Sequence, residues 1–348
     1  MKKNKNKTQS YILFTPGPIN LEKKVRTAAT SKDLFHRQKE FIDILIKVKQ
    51  NLLNISQKNN SYVSILHGSG SLAVESALQT LIQGNVLVIN NGDYCERIKK
   101  SLIMKQDTTV KSLDLKMGEY PNLDTINDLL NKDEYNWICM VHHETTTGLL
   151  NPVKKICDIA QKKSIRVFVD AVSSFGAHEV DKRASVICTN SNKCLESIPG
   201  AAIIIWDKDI NISNNIIPYI NASLYIEDKI PFTLNTNAII ALNTALEIYL
   251  KEDRPKRYKK MAEYIRKKGS QYFDLFLKDN YSNVLTSFCT PEKQSFNICE
   301  LMHKDGIILY PNKTLNSFRI CNIGKSINYK TINYLFRKIE RINLCQKK

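Results

Sequence analysis

The sequence predicts an α/β fold. A large domain is built on a mostly parallel sheet flanked by helices, and a smaller C-terminal α+β domain follows it. Three observations carry this. Short, continuous apolar runs alternate with amphipathic stretches along most of the chain, and parallel strands covered on both faces read as unbroken apolar runs. With 348 residues the chain can bury a large core and divide into two domains. Arg254-Pro255 interrupts a long helical stretch, which sets the boundary between a domain at 15–252 and one at 253–348. The N-terminal segment is a candidate to pack on the second of these.

Taken in order, Thr15-Pro16-Gly17-Pro18 is a rigid, turn-rich segment. Phe41, Leu45, Val48 and Leu52 recur at helical spacing, which predicts an amphipathic helix over 36–56. A strand is expected at 62–66, a helix at 71–83 and a second strand at 86–90. Further buried strands are expected at 137–141, 166–169, 186–189 and 202–206. A long helix follows Asn235 and runs to about Glu252. The C-terminal domain is expected to hold a helix at 257–277, short strands, and a last helix through Ile332 to Ile342.

The formal charge of +17 invites a nucleic-acid reading. The lysines are spread along the whole chain, however, and no basic helix with interleaved aromatics stands out. Net charge bears on non-specific binding and not on fold, so no nucleic-acid partner is inferred. The run Met1 to Lys7 reads as a frayed terminus. Nine scattered cysteines without a CxxC pair point neither to a zinc site nor to a disulfide framework, and reduced thiols fit a cytoplasmic protein. No apolar stretch is long enough to span a membrane.

The most informative pairing is Asp170 with Lys193. Asp170 ends the apolar run Val167-Phe168-Val169, and Lys193 follows it by 23 residues. A carboxylate at the tip of a buried strand can keep a pyridinium nitrogen protonated, and a nearby lysine can form a Schiff base with the same cofactor's aldehyde. That combination is what pyridoxal phosphate chemistry needs. Ser69, Gly70 and Ser71 lie between a strand and a helix, where small residues let main-chain N–H groups approach an anion; an ordinary Gly-rich turn fits the local sequence equally. Tyr94 either stacks on an aromatic cofactor or simply fills a turn. Thr145, in His143-Glu144-Thr145-Thr146-Thr147-Gly148, offers a hydroxyl to a cofactor or to a capping turn. His142 and His143 lack metal-ligand spacing and read as structural. Arg319, inside the apolar run Ser317-Phe318-Arg319-Ile320, needs an anion: an internal ion-pair partner or a substrate's acidic group.

In sequence order these segments resemble the class V aminotransferases of fold type I, and the likeness spans nearly the whole chain. It rests on Gly68-Ser69-Gly70-Ser71 with Ala73-Val74-Glu75, His143 to Gly148 with Asn151-Pro152, Asp170-Ala171-Val172-Ser173-Ser174-Phe175-Gly176, Asn192-Lys193-Cys194 with Pro199-Gly200, and Phe318-Arg319-Ile320. Within the class it is nearest to the 2-aminoethylphosphonate–pyruvate aminotransferases. The resemblance implies pyridoxal 5'-phosphate as cofactor, an amino donor and a 2-oxo acid as substrates, and a homodimer with shared active sites. Lys193 would carry the cofactor and shuttle the proton, and Asp170 would hold the ring nitrogen. Tyr94 would stack on the ring, with Thr145 near its phenolic oxygen. Ser69, Gly70 and Ser71 would bind the phosphate, joined by Thr236 from the neighbouring subunit, and Arg319 would bind the substrate's acidic group. Thr233-Leu234-Asn235-Thr236-Asn237 departs from the family's Thr-His ending there, and Cys95 stands where glycine is common.

Alanine–glyoxylate or serine–pyruvate exchange is the alternative within the class. Those relatives usually carry Gln before the lysine, where this chain has Asn192. A desulfurase would need a mobile nucleophile, for which Cys289 in an expected loop is the candidate.

Overall fold

The computed structural model describes residues 11–346 apart from Lys293 and Lys313; the basic run at residues 1–7 lies outside them. The chain enters through β1 (Ile12–Leu13), α1 (Lys23–Ala28) and α2 (Lys39–Ser56). It then alternates β2 (Ser61–Gly68), α3 (Gly70–Leu81), β3 (Gly84–Asn90), α4 (Asp93–Ile103), β4 (Thr108–Asp114), α5 (Leu123–Lys132) and β5 (Trp137–Val141). A hairpin of β6 (His143–Glu144) and β7 (Leu149–Leu150) follows, then α6 (Val153–Lys162), β8 (Arg166–Asp170), β9 (Val186–Asn190) and β10 (Gly200–Asp207). Helices α7 (Thr236–Tyr249) and α8 (Arg254–Gly269) lead to β11 (Leu285–Cys289) and α9 (Gln294–Lys304). Strands β12 (Ile307–Ile308), β13 (Tyr310–Pro311) and β14 (Ser317–Cys321) and helix α10 (Tyr329–Gln346) complete it.

Seven strands form the central sheet in the order β2-β10-β9-β8-β5-β3-β4, and β10 alone runs antiparallel to its neighbours. The α/β expectation holds. Strands β5 and β9 are buried at every residue, as strands covered on both faces must be. Helix α2 lays Phe41, Leu45, Val48 and Leu52 on the core, and each is fully buried. A second core gathers Phe14, just after β1, with Ile265, Phe288, Phe318, Ile332 and Leu335 from α8, β11, β14 and α10. There β11, β14 and β13 form an antiparallel sheet, and β1 pairs in parallel with β12.

Three expectations need adjusting. The helix expected at 257–277 is α8, which starts earlier and ends at Gly269. Pro255 sits in its first turn, where no N–H is needed, and Asp253 caps it by accepting from the Lys256 N–H at 3.1 Å. Beyond Gly269 the chain turns, which lets Phe273 meet the Phe318 ring edge-on at 5.0 Å. Helix α8 is also a basic helix with interleaved tyrosines. Tyr258 is wholly buried, however, and Tyr264 gives its hydroxyl proton to Asn333, so neither is a free stacking surface. Cys289 ends β11 in register with Ser317 and is not in a loop, so the expected candidate for a mobile nucleophile is held in a strand, and burial raises its thiol pKa. Among the described residues no helix is long and apolar enough to cross a membrane.

Candidate active site

The site opens at the carboxyl ends of the central strands, where α/β sheets place their ligands. Ser69, Gly70, Ser71, Tyr94, Asp170 and Lys193 line one cleft, together with Val172, Asn190 and Arg97. Ser69 ends the strand side of the β2–α3 turn and its side chain makes no cap. The N–H groups of Gly70 and Ser71 consequently have no acceptor among the described residues, and they sit at the positive end of α3. Arg97, one turn along α4 from Tyr94, donates to the Ser71 Oγ at 3.2 Å. It adds a full positive charge to that corner.

Asp170 closes β8 with 6 % of its surface exposed. Its Oδ1 accepts from the Val172 N–H at 2.9 Å, and no other donor reaches it among the described residues. Burial raises its pKa, opposed by that N–H and by the charges of Lys193 and Arg97. A buried carboxylate of this kind is short of a cationic partner. Asn190, at the end of β9, has a buried Oδ1 with no hydrogen-bond partner among the described residues.

Lys193 lies in the β9–β10 loop with its Nζ 5.8 Å from the centre of the Tyr94 ring; the Arg97 guanidinium is 5.6 Å from the same ring. Tyr94 is in the first turn of α4. Its N–H donates to Glu144 Oε2 at 3.2 Å, and Thr146 donates to Glu144 Oε1 through both its hydroxyl and its N–H. Burial pushes the Glu144 pKa up to about 6 despite these donors. Gly92 makes the approach possible, since a Cβ there would lie 2.3 Å from the Glu144 side chain.

Thr145, Thr236 and Arg319 are not on the lining of this cleft. Thr145 is buried, and its hydroxyl has no partner among the described residues. Thr236 is the first residue of α7, and its hydroxyl donates to Asn237 Oδ1 at 3.5 Å. Arg319 is buried on β14 with its guanidinium carbon 4.2 Å from the centre of the Tyr310 ring. It donates to the carbonyl oxygens of Thr145 and Pro311 at 2.8 and 3.3 Å, and its Nε has no partner among the described residues. No carboxylate pairs with it among the described residues, so the internal ion pair is excluded as its explanation. Behind the cleft His143 Nδ1 contacts Ser173, and burial drives its pKa down to about 3, which keeps the ring neutral. Arg97 and Asn190 were not singled out from sequence: one sits mid-helix among other charged residues, the other ends an apolar strand.

The residues present fit pyridoxal phosphate. Unused N–H groups at a helix start beside Arg97 suit a phosphate, and a buried, unpaired carboxylate suits a protonated ring nitrogen. Residues 22–205 match the family model for class V aminotransferases. The chain belongs to that family. It is an aminotransferase, and pyridoxal phosphate is its cofactor.

It is similar to the bifunctional phosphonoacetaldehyde hydrolase/aminoethylphosphonate transaminase of Clostridioides difficile, with 32% identity over 90% of this chain and 54% of that protein. The chain therefore spans about half the length of that relative. It is 29% identical to the 2-aminoethylphosphonate–pyruvate transaminase of Klebsiella pneumoniae, across 91% of this chain and 94% of the relative. In fold it is similar to the pyridoxamine–pyruvate aminotransferase of Mesorhizobium loti (TM-score 0.88, 21% identity, 96% of this chain and 93% of that one). The alanine–glyoxylate aminotransferase of Nostoc is equally similar in fold (TM-score 0.88, 19% identity, 98% and 97%).

Proposed function

We propose that the protein moves the amino group of 2-aminoethylphosphonate to pyruvate, giving phosphonoacetaldehyde and L-alanine. The observation that carries this is Arg319: a buried guanidinium whose Nε has no partner and which meets no carboxylate among the described residues, a short reach from the Thr145 main chain. A planar fork in that state can take a phosphonate and a carboxylate in turn, which a donor–acceptor pair of these two acids requires. The sequence likeness to transaminases for 2-aminoethylphosphonate supports the same pair.

Pyridoxal phosphate supplies an electron sink for the substrate's amine-bearing carbon and an aldehyde carbon that carries the amino group between half-reactions. The chain's own residues do the rest. Lys193 would tether the cofactor, and its amine would serve as the base that moves the substrate's proton. Asp170 keeps the ring nitrogen protonated. Ser69, Gly70, Ser71 and Arg97 hold the phosphate at the start of α3, and Tyr94 covers the ring. Thr145 would offer its hydroxyl to the cofactor's phenolic side. Thr236 of a second copy reaches the phosphate, which makes the working unit a homodimer. The large domain at 15–252 then carries the cofactor, and the part from 253 onward brings Arg319.

Alanine formation from 2-aminoethylphosphonate and pyruvate by purified protein with cofactor tests this. Alanine with glyoxylate and serine with pyruvate serve as rival pairs. Turnover of a rival pair alone would overturn the phosphonate assignment and leave the aminotransferase chemistry standing.

A further inference from the structure

Lys193 is held by a cluster of charged residues none of which lines the cleft. The turn after it closes when the Glu196 N–H donates to the Lys193 carbonyl at 2.9 Å. Glu196 adopts φ +58° to do so. A glycine takes that conformation freely, whereas a side chain there costs about 1 kcal/mol or more. The Glu196 side chain therefore has to be useful where it is, and its contacts show how. It is buried, at 5 % exposure, and its Oε1 accepts from Arg257 Nη2 at 2.5 Å and from the Tyr258 hydroxyl. Arg254 donates to the Cys194 carbonyl at 3.0 Å, and the Tyr258 oxygen lies 3.3 Å from the same atom. Arg254 is in turn fixed by Glu252 at 2.7 Å. Arg254, Arg257 and Tyr258 all project from the first turns of α8, about sixty positions later in the chain.

We infer that Glu196 is a positioning residue for Lys193, pinned by Tyr258, Arg254 and Arg257 so that the docking of α8 sets where the lysine amine stands. The residue that bears the amine is followed by a carbonyl held from α8, and its own carbonyl closes the turn whose fourth residue is held from α8. A shift of the helix must therefore move the loop that carries the amine. The inference rests on Lys193 as the cofactor lysine and is independent of which amino donor the enzyme uses.

The test uses Tyr258→Phe, which deletes one hydroxyl, and Glu196→Gly, which keeps the turn's backbone and removes its anchor, with Glu196→Gln as the conservative control. Three readouts apply to the full-length protein. They are the thermal midpoint without cofactor, the rate at which Lys193 is trapped by borohydride after mixing with pyridoxal phosphate, and the pH midpoint of the bound cofactor's absorbance band. The expected result for Tyr258→Phe and Glu196→Gly is trapping at least roughly tenfold slower, as misplacing a reacting group does. The pH midpoint should move as well, with partial recovery in Glu196→Gln. A lowered thermal midpoint with unchanged trapping rate and pH midpoint would overturn the inference and leave the cluster purely structural. If Glu196→Gly does not fold, Tyr258→Phe decides alone. Wild-type protein that traps at a lysine other than Lys193 would instead sink the lysine assignment, a separate failure.

Discussion

Arg319 of β14 donates to the main-chain oxygen of Thr145 at 2.8 Å, so one guanidinium links the antiparallel sheet to the turn of the β6–β7 hairpin. The same group is the candidate anchor for both substrates' acidic ends. Arg319→Lys keeps a charge and loses the fork. Its kcat/KM should fall roughly a hundredfold for donor and acceptor alike, the scale of one charged hydrogen bond in a buried site. Cofactor absorbance should stay as in the wild type. Steady-state kinetics with each substrate varied checks this, and a loss confined to one substrate would show that the two acids use different anchors.

Asp170→Asn removes the negative charge and keeps the shape. The ring nitrogen would lose its reason to stay protonated, and kcat should fall by about 10²–10³, the usual scale for a removed electrostatic stabiliser. Cofactor should still bind through the phosphate corner, which absorbance titration would report.

Gly17 packs on the lysine itself. Its φ is +128°, and a Cβ would stand 3.1 Å from Lys193 Cγ and from the Asn192 carbonyl oxygen. Gly17→Ala should lower stability by about 1–3 kcal/mol through backbone strain. It should also slow cofactor capture by displacing Lys193. Chemical denaturation of the cofactor-free protein together with stopped-flow mixing separates the two effects.

Two histidines shielded from solvent, His143 buried and His178 partly buried, make the fold sensitive to acid. Burial lowers the pKa of His178 to about 4 and that of His143 to about 3, both from 6.5. The unfolded chain binds protons at these sites first, so the stability they allow is complete above about 6.5 and is lost as pH falls toward 4. Stability should therefore rise with pH between those limits. Urea titrations across this range should show the slope, and His178→Gln should flatten it.

Much of the frame is legible in the sequence. The apolar runs at 137–141 and 186–189 appear as β5 and β9 because strands covered on both faces have no polar alternation to hide them. Strand β4 is harder, since its residues are half-buried or exposed at the sheet edge and leave no apolar run. Within the site, Asp170 and Lys193 stand out because each ends or follows an apolar strand and the chemistry requires both types. Arg97 and Glu196 do not. Arg97 matters only because the β3–α4 turn brings it over Ser71, and Glu196 only because α8 returns to it. Contacts between residues so far apart in sequence leave no local period or composition to read.

The segment that covers Lys193 depends on the far end of the chain. Ile12 and Leu13 pair with Ile307 and Ile308, and the Phe14 carbonyl accepts from the Cys321 N–H. On the ribosome, the stretch bearing Gly17 is made well before its partners at residues 306–321. The central sheet can assemble while Lys193 is still uncovered, because all of its strands precede residue 208. A premature stop codon after Gly306 would therefore spare the sheet, the phosphate corner and Asp170, yet leave the lysine without its cover. Such a product would resemble the enzyme in every residue of the cleft and still hold its lysine poorly.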